Sequence, residues 1–376
     1  MRVLIAPDSF KEACTAEEAA GALARGWHAV RPQDELRLLP LADGGEGTMN
    51  ALSRAWHCES HVYTVSGPLG QPVEAALGFN PDTRVAVIEM AAASGLALIP
   101  QGSRNPFAAS TRGTGELLLH ALKLGARRVV VGAGGSATND GGAGAGAALG
   151  FHLLDVDGNP LPPGGAALSR LSRIDASGRT PLLRGVLIEV ACDVTNPLCG
   201  AEGASMVYGP QKGATPAECA LLDEALLHFA EIMERDLGAR VRDIPGSGAA
   251  GGLAAGLMSF ANATLRSGIS LVAEALKLPE AIAAADLVLT GEGRLDGQSA
   301  QGKTVGGLLD RANRAGVPVV AFAGQLGQGH EQLFMRGIRH AECISAKELD
   351  ATTAIRDTLV NLEAAARRVA RDFRLD

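Results

Sequence analysis

Short apolar, β-branched runs alternate along this chain with longer segments of helical periodicity, the pattern of a parallel sheet covered by helices. Val3–Ala6 reads as a first buried strand, and it ends at Asp8-Ser9-Phe10-Lys11. A helix is expected from about Ala16, where Thr15 and Glu18 have the spacing of a capping box. Glu35–Leu39 is a second strand, ending at Asp43-Gly44-Gly45-Glu46-Gly47-Thr48. Arg128–Val131, Leu287–Thr290 and Val317–Ala321 continue the series, and another strand is expected near Glu342–Ile344, before a C-terminal helix over Ala351–Val369.

Two stretches break the alternation. Residues 60–108 read as a β-rich excursion with strands at Val62–Val65, Val73–Gly78 and Val85–Met90. Residues 151–270 hold the strand Leu187–Ala191 and a helix opened by Thr215-Pro216-Ala217-Glu218, with an N-cap, a proline at N1 and an acid at N3. The expected fold is therefore α/β: a discontinuous Rossmann-like parallel-sheet domain with a second α/β domain inserted in two pieces. The expected boundaries are 1–60, 109–150 and 271–376 for the first domain and 61–108 and 151–270 for the second, with the active site in the cleft between them.

Composition narrows the function. At 376 residues the chain exceeds one ordinary domain. Aromatics make up only 3%, so Ala, Val and Leu must build the cores, while 48 glycines gather beside polar residues where backbone can approach a ligand. A net charge of −7 with no basic stripe argues against nucleic acid as a partner. The six cysteines show no CxxC pair or metal-ligand spacing and read as reduced thiols. The N-terminus does not resemble a signal peptide. The uncharged stretch Ile244–Leu265 carries Pro245, glycines and polar residues, so it reads as a glycine-rich loop entering a buried helix, not a membrane span. A cytoplasmic protein with no membrane partner is expected; oligomeric state is left open, a homo-oligomer included.

Carboxylates and glycines recur where strands end, the edge at which open α/β sheets bind ligands. Gly132-Ala133-Gly134-Gly135-Ser136-Ala137 fits the GxGxxA pattern of a dinucleotide site, with Asp155 about twenty residues on. It equally fits a loop that cradles phosphates with backbone N–H groups, or a tight turn. The continuation Thr138-Asn139-Asp140-Gly141-Gly142 favours the phosphate loop, because a dinucleotide helix would run on directly. Gly297-Gln298-Ser299-Ala300-Gln301-Gly302-Lys303-Thr304 spells a P-loop letter for letter. Gly291–Asp296 is expected to separate it from its strand, whereas a P-loop follows its strand at once. Only Lys303, as a cation at a helix start, is retained from that motif. Asp8, Ser9 and Asp43 have turn and cap chemistry as the plain alternative to a role in binding; Asp193 stands at the mouth of its strand, where Asn196-Pro197 alone signals a turn. The eight histidines are isolated.

Taken together, Asp8-Ser9-Phe10-Lys11, Pro40–Thr48, Gly134–Gly142, Cys192–Leu198, Gly248–Leu253 and Gly291-Glu292-Gly293-Arg294 resemble the glycerate kinase family of bacterial glycerate and sugar-diacid catabolism. They occur in the family's order over nearly the whole chain. Glu12-Ala13 stands where Gly-Ser is usual, Leu41 where Met is common, and Leu295 and Ser299 where Thr is common. The resemblance implies ATP-dependent phosphorylation of D-glycerate with Mg²⁺, usually at the 2-hydroxyl. A glycerate 3-kinase, a kinase of another small hydroxy acid, an NAD-dependent dehydrogenase and a non-catalytic acid sensor are the alternatives. On this reading Lys11 and Arg294 clamp the glycerate carboxylate and the transferred phosphoryl group, with Asp8, Ser9 and Asn196 as further substrate contacts. Gly134, Gly135, Ser136 and Thr138 line the phosphate path with Lys303 as a further cation. Asp193 is the general base, and Asp43 and Asp140 are the metal ligands.

Overall fold

Val3, Leu4 and Ile5 are all shut away from solvent, as an interior strand of a helix-covered parallel sheet requires. They belong to β1 (Arg2–Ile5). The structure is a computed structural model and describes residues 1–10, 13–41, 48–300, 304–345 and 351–374. The strands that follow are β2 (Glu35–Leu38), β3 (Glu59–Ser66), β4 (Pro72–Asn80), β5 (Val85–Glu89), β6 (Arg128–Gly132), β7 (His152–Leu154) and β8 (Arg173–Asp175). After them come β9 (Leu187–Ala191), β10 (Thr264–Arg266), β11 (Leu287–Leu295), β12 (Val319–Leu326) and β13 (Ile338–Cys343). The chain divides into two compact units, Met1–Asp43 with Ile269–Asp376, and Gly44–Gly268.

The first unit holds a sheet in the order β13-β12-β11-β1-β2, parallel throughout. Helices Ala16–His28 and Thr358–Asp372 bury Leu23, Trp27, Leu362 and Ala366 with Phe322 of β12. Their contact is close because Gly26 lacks a side chain: a Cβ there would lie 2.2 Å from the carbonyl oxygen of Glu363. The expected capping box is present, with the Glu18 amide donating to Thr15 Oγ1 and the Thr15 amide to Glu18 Oε2. The C-terminal segment forms two helices, Ala351–Arg356 and Thr358–Asp372, in place of one.

The second unit is built on the order β10-β9-β6-β5-β4-β3. β10, β9, β6 and β5 run parallel, and β5, β4 and β3 form an antiparallel meander. Glu189 of β9 accepts from Arg128 of β6 at 2.6 Å and Arg266 of β10 at 2.7 Å, tying three neighbouring strands together. Helix Pro216–Leu237 opens with the expected cap of Thr215, Pro216 and Glu218 and lays Leu226, Phe229 and Met233 on the core. The apolar stretch after Ile244 is the buried helix Ala249–Ala261, and among the described residues no helix is long and apolar enough to cross a membrane.

Two expectations need correction. Residues 109–150 do not belong with the first sheet: β6 pairs with β5 and β9, so the second unit is one continuous stretch and the first is made of two pieces, not three. The fourth strand of the sequence pattern also does not stop at Thr290. β11 continues to Leu295, with Gly291 opposite Phe322 and Arg294 opposite Gln325. Gly291 is needed there because a Cβ would stand 2.3 Å from the Phe322 carbonyl oxygen, so its glycine marks close strand packing, not a loop hinge.

Candidate active site

In the second unit, β6 and β9 are parallel neighbours, so the segments that leave their C-terminal ends emerge side by side. The Ala133 amide donates to the Ala191 carbonyl at 3.2 Å, carrying the pairing past the end of β6. From there Gly134, Gly135 and Ser136 form a partly exposed bend in which Gly135 is left-handed at φ 68°. Successive amides around such a residue make an anion-binding concavity. The bend is anchored from outside by the Leu96 amide donating to the Gly135 carbonyl at 2.8 Å and the Ala137 amide donating to the Ser94 carbonyl at 3.0 Å. No helix follows at once: the next begins at Ala143, as the polar continuation predicted and as a dinucleotide fold would not have it. Asp155, the partner required by that reading, sits in an exposed turn and accepts from the amides of Asp157 and Asn159.

Asp193 follows β9, is exposed, and receives the Gly268 amide at 3.1 Å on both carboxylate oxygens. Asn196, half-buried, takes the Tyr208 hydroxyl on Oδ1 and gives Nδ2 to the Glu202 carbonyl, each at 2.8 Å. Its own carbonyl accepts from the amides of Gly246 and Gly248. As placed, the Asn196 side chain shapes the turn.

Behind the bend, Thr138, Asn139 and Asp140 are fully buried. Thr138 Oγ1 donates to the Ala250 carbonyl at 3.4 Å, so this hydroxyl faces the interior and not the phosphate path. Asp140 accepts from the Thr111 amide at 2.8 Å, the Thr111 hydroxyl at 2.9 Å, and the amides of Gly142 and Gly144 at 3.2 Å each. Burial pushes its carboxyl up from the ordinary range despite those donors. With both oxygens engaged inside the protein, the geometry gives the metal-ligand expectation for Asp140 no support. Ala250, Gly251 and Gly252 pack against this segment with three consecutive positive φ angles of 56°, 68° and 85°. A Cβ on Gly251 would stand 1.9 Å from the Thr138 carbonyl oxygen.

One residue here escaped the sequence reading. Lys212, 1% exposed, ends a short 3₁₀ turn over Pro210–Lys212 and donates Nζ to the same Thr138 carbonyl at 2.7 Å. Burial pulls its pKa down to about 7, against the attraction of Asp140.

In the first unit β1 and β11 are neighbours; Asp8 follows the end of β1, and Arg294 lies within β11 past the last residue paired with β1. The Asp8 amide donates to the Gly291 carbonyl at 2.8 Å. Its buried carboxylate accepts from the Ser9 amide and from Thr304 Oγ1, at 2.6 Å each. Arg294 is exposed and pairs with Asp296 at 3.3 Å. Lys11, Asp43 and Lys303 lie outside the described residues. The longer β11 removes the stated ground for setting aside the P-loop spelling, since Gly297 comes only two residues after the strand. What does set it apart is conformation: Gly297–Ala300 is helical, where a P-loop wraps phosphate with irregular backbone.

A model of the glycerate kinase family matches residues 3–374. The chain is 50% identical to a glycerate kinase of Halalkalibacterium halodurans over 98% of its own length and 97% of that protein. It is 45% identical to glycerate 2-kinase of Escherichia coli K12, with the same coverage of both chains. The crystal structure of a protein assigned as glycerate kinase 2 from Salmonella typhimurium LT2 superposes with a TM-score of 0.88 at 45% identity, covering 99% of this chain and 97% of that one. Carried by motifs at the strand ends, and matched from end to end in both sequence and fold, the chain belongs to the glycerate kinase family.

Proposed function

We propose that this protein transfers the γ-phosphoryl group of ATP to D-glycerate, at the 2-hydroxyl, giving 2-phosphoglycerate and ADP. The carrying observation is the pairing of β6 with β9, which sets the glycine bend Gly134–Ser136 beside the loop bearing Asp193. A backbone concavity suited to phosphate thus has an exposed carboxylate as its neighbour in the same sheet. Phosphoryl transfer needs little more than positioning, compensating charge and a base near the acceptor hydroxyl.

In this mechanism Asp193 takes the proton of the 2-hydroxyl as its oxygen bonds to the γ-phosphorus, and the bond from that phosphorus to the β,γ-bridging oxygen breaks to release ADP. Amides of Gly134, Gly135 and Ser136 hold phosphate oxygens. Arg294, suited to a planar carboxylate, and Lys11 hold the glycerate carboxylate, while Lys303 adds positive charge. Asp8, through its bonds to the Ser9 amide and Thr304, and Ser9 order the end of β1 on the substrate side. Magnesium would enter with ATP and neutralise its phosphates, keeping mostly water and phosphate ligands. Among the described residues no group of three His, Cys, Asp or Glu side chains converges as a metal cage, and Asp140 is already committed to its four internal donors. A cytoplasmic location fits this chemistry, because ATP is the donor.

The test is one coupled assay. Protein, Mg-ATP and D-glycerate are incubated and the product is offered directly to enolase, which accepts only the 2-phosphate. Phosphoenolpyruvate formation is the expected result. ADP release without it would move the phosphate to the 3-hydroxyl, and no ADP release would end the kinase reading.

A further inference from the structure

We propose that Lys212 is a positioning residue for nucleotide: by holding the Thr138 carbonyl it keeps the Gly134–Thr138 bend in the shape that receives the phosphates. The inference rests on the reading of that bend as the phosphate path.

Three braces converge on the short buried run behind the bend. Asp140 gathers the Thr111 amide and hydroxyl on one side. Gly251 abuts the Thr138 carbonyl on another, and its own carbonyl accepts the Gly141 amide at 3.0 Å. Lys212 supplies the third, with Nζ 2.7 Å from the Thr138 oxygen. The first two are neutral donors or a carboxylate that organises several groups at once. The third is different in kind: an ammonium-bearing side chain, 1% exposed, ends at a single main-chain carbonyl.

Burying a lysine is unfavourable, and an apolar residue of similar length would fill the same space without that penalty. The attraction of Asp140 offsets only part of that cost, since burial still lowers the pKa of Lys212, so a stability role alone gives little reason for the choice. Position gives one. Thr138 lies two residues beyond Ser136, so the bond that fixes its carbonyl fixes where the chain leaves the bend, and Lys212 reaches that carbonyl from the Pro210–Lys212 turn. The depressed pKa agrees with this placement, because a neutral amine donates to a carbonyl as an ammonium does. Lys212 touches neither substrate in this scheme and acts through the main chain alone.

The experiment compares wild type, Lys212→Met and Gly135→Pro in the full chain, measuring kcat and the separate KM values for ATP and glycerate. Lys212→Met is expected to raise KM for ATP at least tenfold and leave KM for glycerate within twofold. A purely structural role would lower thermal stability and leave both KM values alone, which would overturn the proposal. If Gly135→Pro, which removes one amide of the bend and cannot adopt its φ of 68°, and Lys212→Met both leave KM for ATP unchanged, the phosphate-path reading fails and the inference with it; a rise in Gly135→Pro alone defeats only the inference. Hydrogen exchange on the wild type needs no variant to fold. A non-hydrolysable ATP analogue should protect residues 209–214 together with residues 134–142, and D-glycerate alone should protect neither. Protection of 134–142 without 209–214 would also overturn it.

Discussion

Lys212→Met should change how stability depends on pH, and the sign follows from burial. In the unfolded chain the amine keeps its proton up to about its ordinary pKa of 10.5, whereas in the folded protein it gives the proton up near pH 7. Below about pH 7 both states are charged, and the folded state bears the whole cost of the buried ammonium. Between the two pKa values the unfolded state binds more protons, so stability rises with pH. At roughly 1.4 kcal/mol per unit the rise is about 3 kcal/mol from pH 7 to pH 9, and on the order of 5 kcal/mol over the full window. Methionine has similar length and no titrating group. Losing the bond to the Thr138 carbonyl shifts the variant by about 1–3 kcal/mol, but that offset is the same at every pH. The informative quantity is therefore the difference curve, wild type minus variant, from urea unfolding at several values between about pH 6.5 and about pH 9. Groups common to both proteins cancel except Asp140, which attracts Lys212 and whose buried carboxyl is raised further once that ammonium is gone. The curve should climb by about 3 kcal/mol toward alkaline pH. A curve flat to within about 0.5 kcal/mol, well under the expected slope, would mean that Lys212 does not titrate in the protein interior.

Three other substitutions separate chemistry from scaffolding. Asp193→Asn should cut kcat by about 10²-fold or more while moving the melting behaviour by less than about 1 kcal/mol, since the carboxylate is exposed and an amide oxygen still accepts from Gly268; a loss under tenfold transfers the base to another residue. Asp140→Ala should lower urea stability by about 3 kcal/mol, because the donors from Thr111, Gly142 and Gly144 lose their shared acceptor. Any remaining turnover should require the same Mg²⁺ concentration as wild type, and a large increase would restore Asp140 as a metal ligand. Glu189→Gln should cost about 2 kcal/mol at neutral pH with KM values unchanged, because the arginines it joins across β6, β9 and β10 are only partly solvated. An unaltered melt would reduce that triad to an ordinary surface pair.

The buried strand cores were legible where a short β-branched run implies burial, as in Val3–Ile5 or Val129–Val131. Helix starts were legible for a local reason as well: Thr15 with Glu18, and Thr215 with Pro216 and Glu218, satisfy their own N-terminal amides without help from distant residues. Strand order was not. The alternation around Arg128–Val131 looks the same whether the strand joins one sheet or the other, and only the pairing of Val85–Glu89 and Leu187–Ala191 with it decides. The end of β11 misled for a related reason. Gly291 and Gly293 have the composition of a hinge, yet a strand also takes glycine where a neighbouring carbonyl comes close.

Function was read from glycines and carboxylates because their motifs are contiguous, and that same habit hid Lys212. In Pro210-Gln211-Lys212-Gly213 a lysine between a proline, a glutamine and a glycine has every mark of an exposed turn. Its burial is created by chain segments more than seventy residues away, with Thr138 as the acceptor. Asp140 shows the opposite case: an acid among glycines suggests a ligand-facing loop, whereas the structure buries it with the Thr111 and Gly144 donors closed over it. Both cases have one source. Local sequence reports what a loop can bend into, whereas the direction in which a charged side chain finally points depends on which remote backbone atoms remain to be satisfied. A buried charge is therefore the feature most worth seeking in the structure once the motifs have been read. Its cost requires a compensating partner, and here that partner lies directly behind the bend assigned to the phosphates.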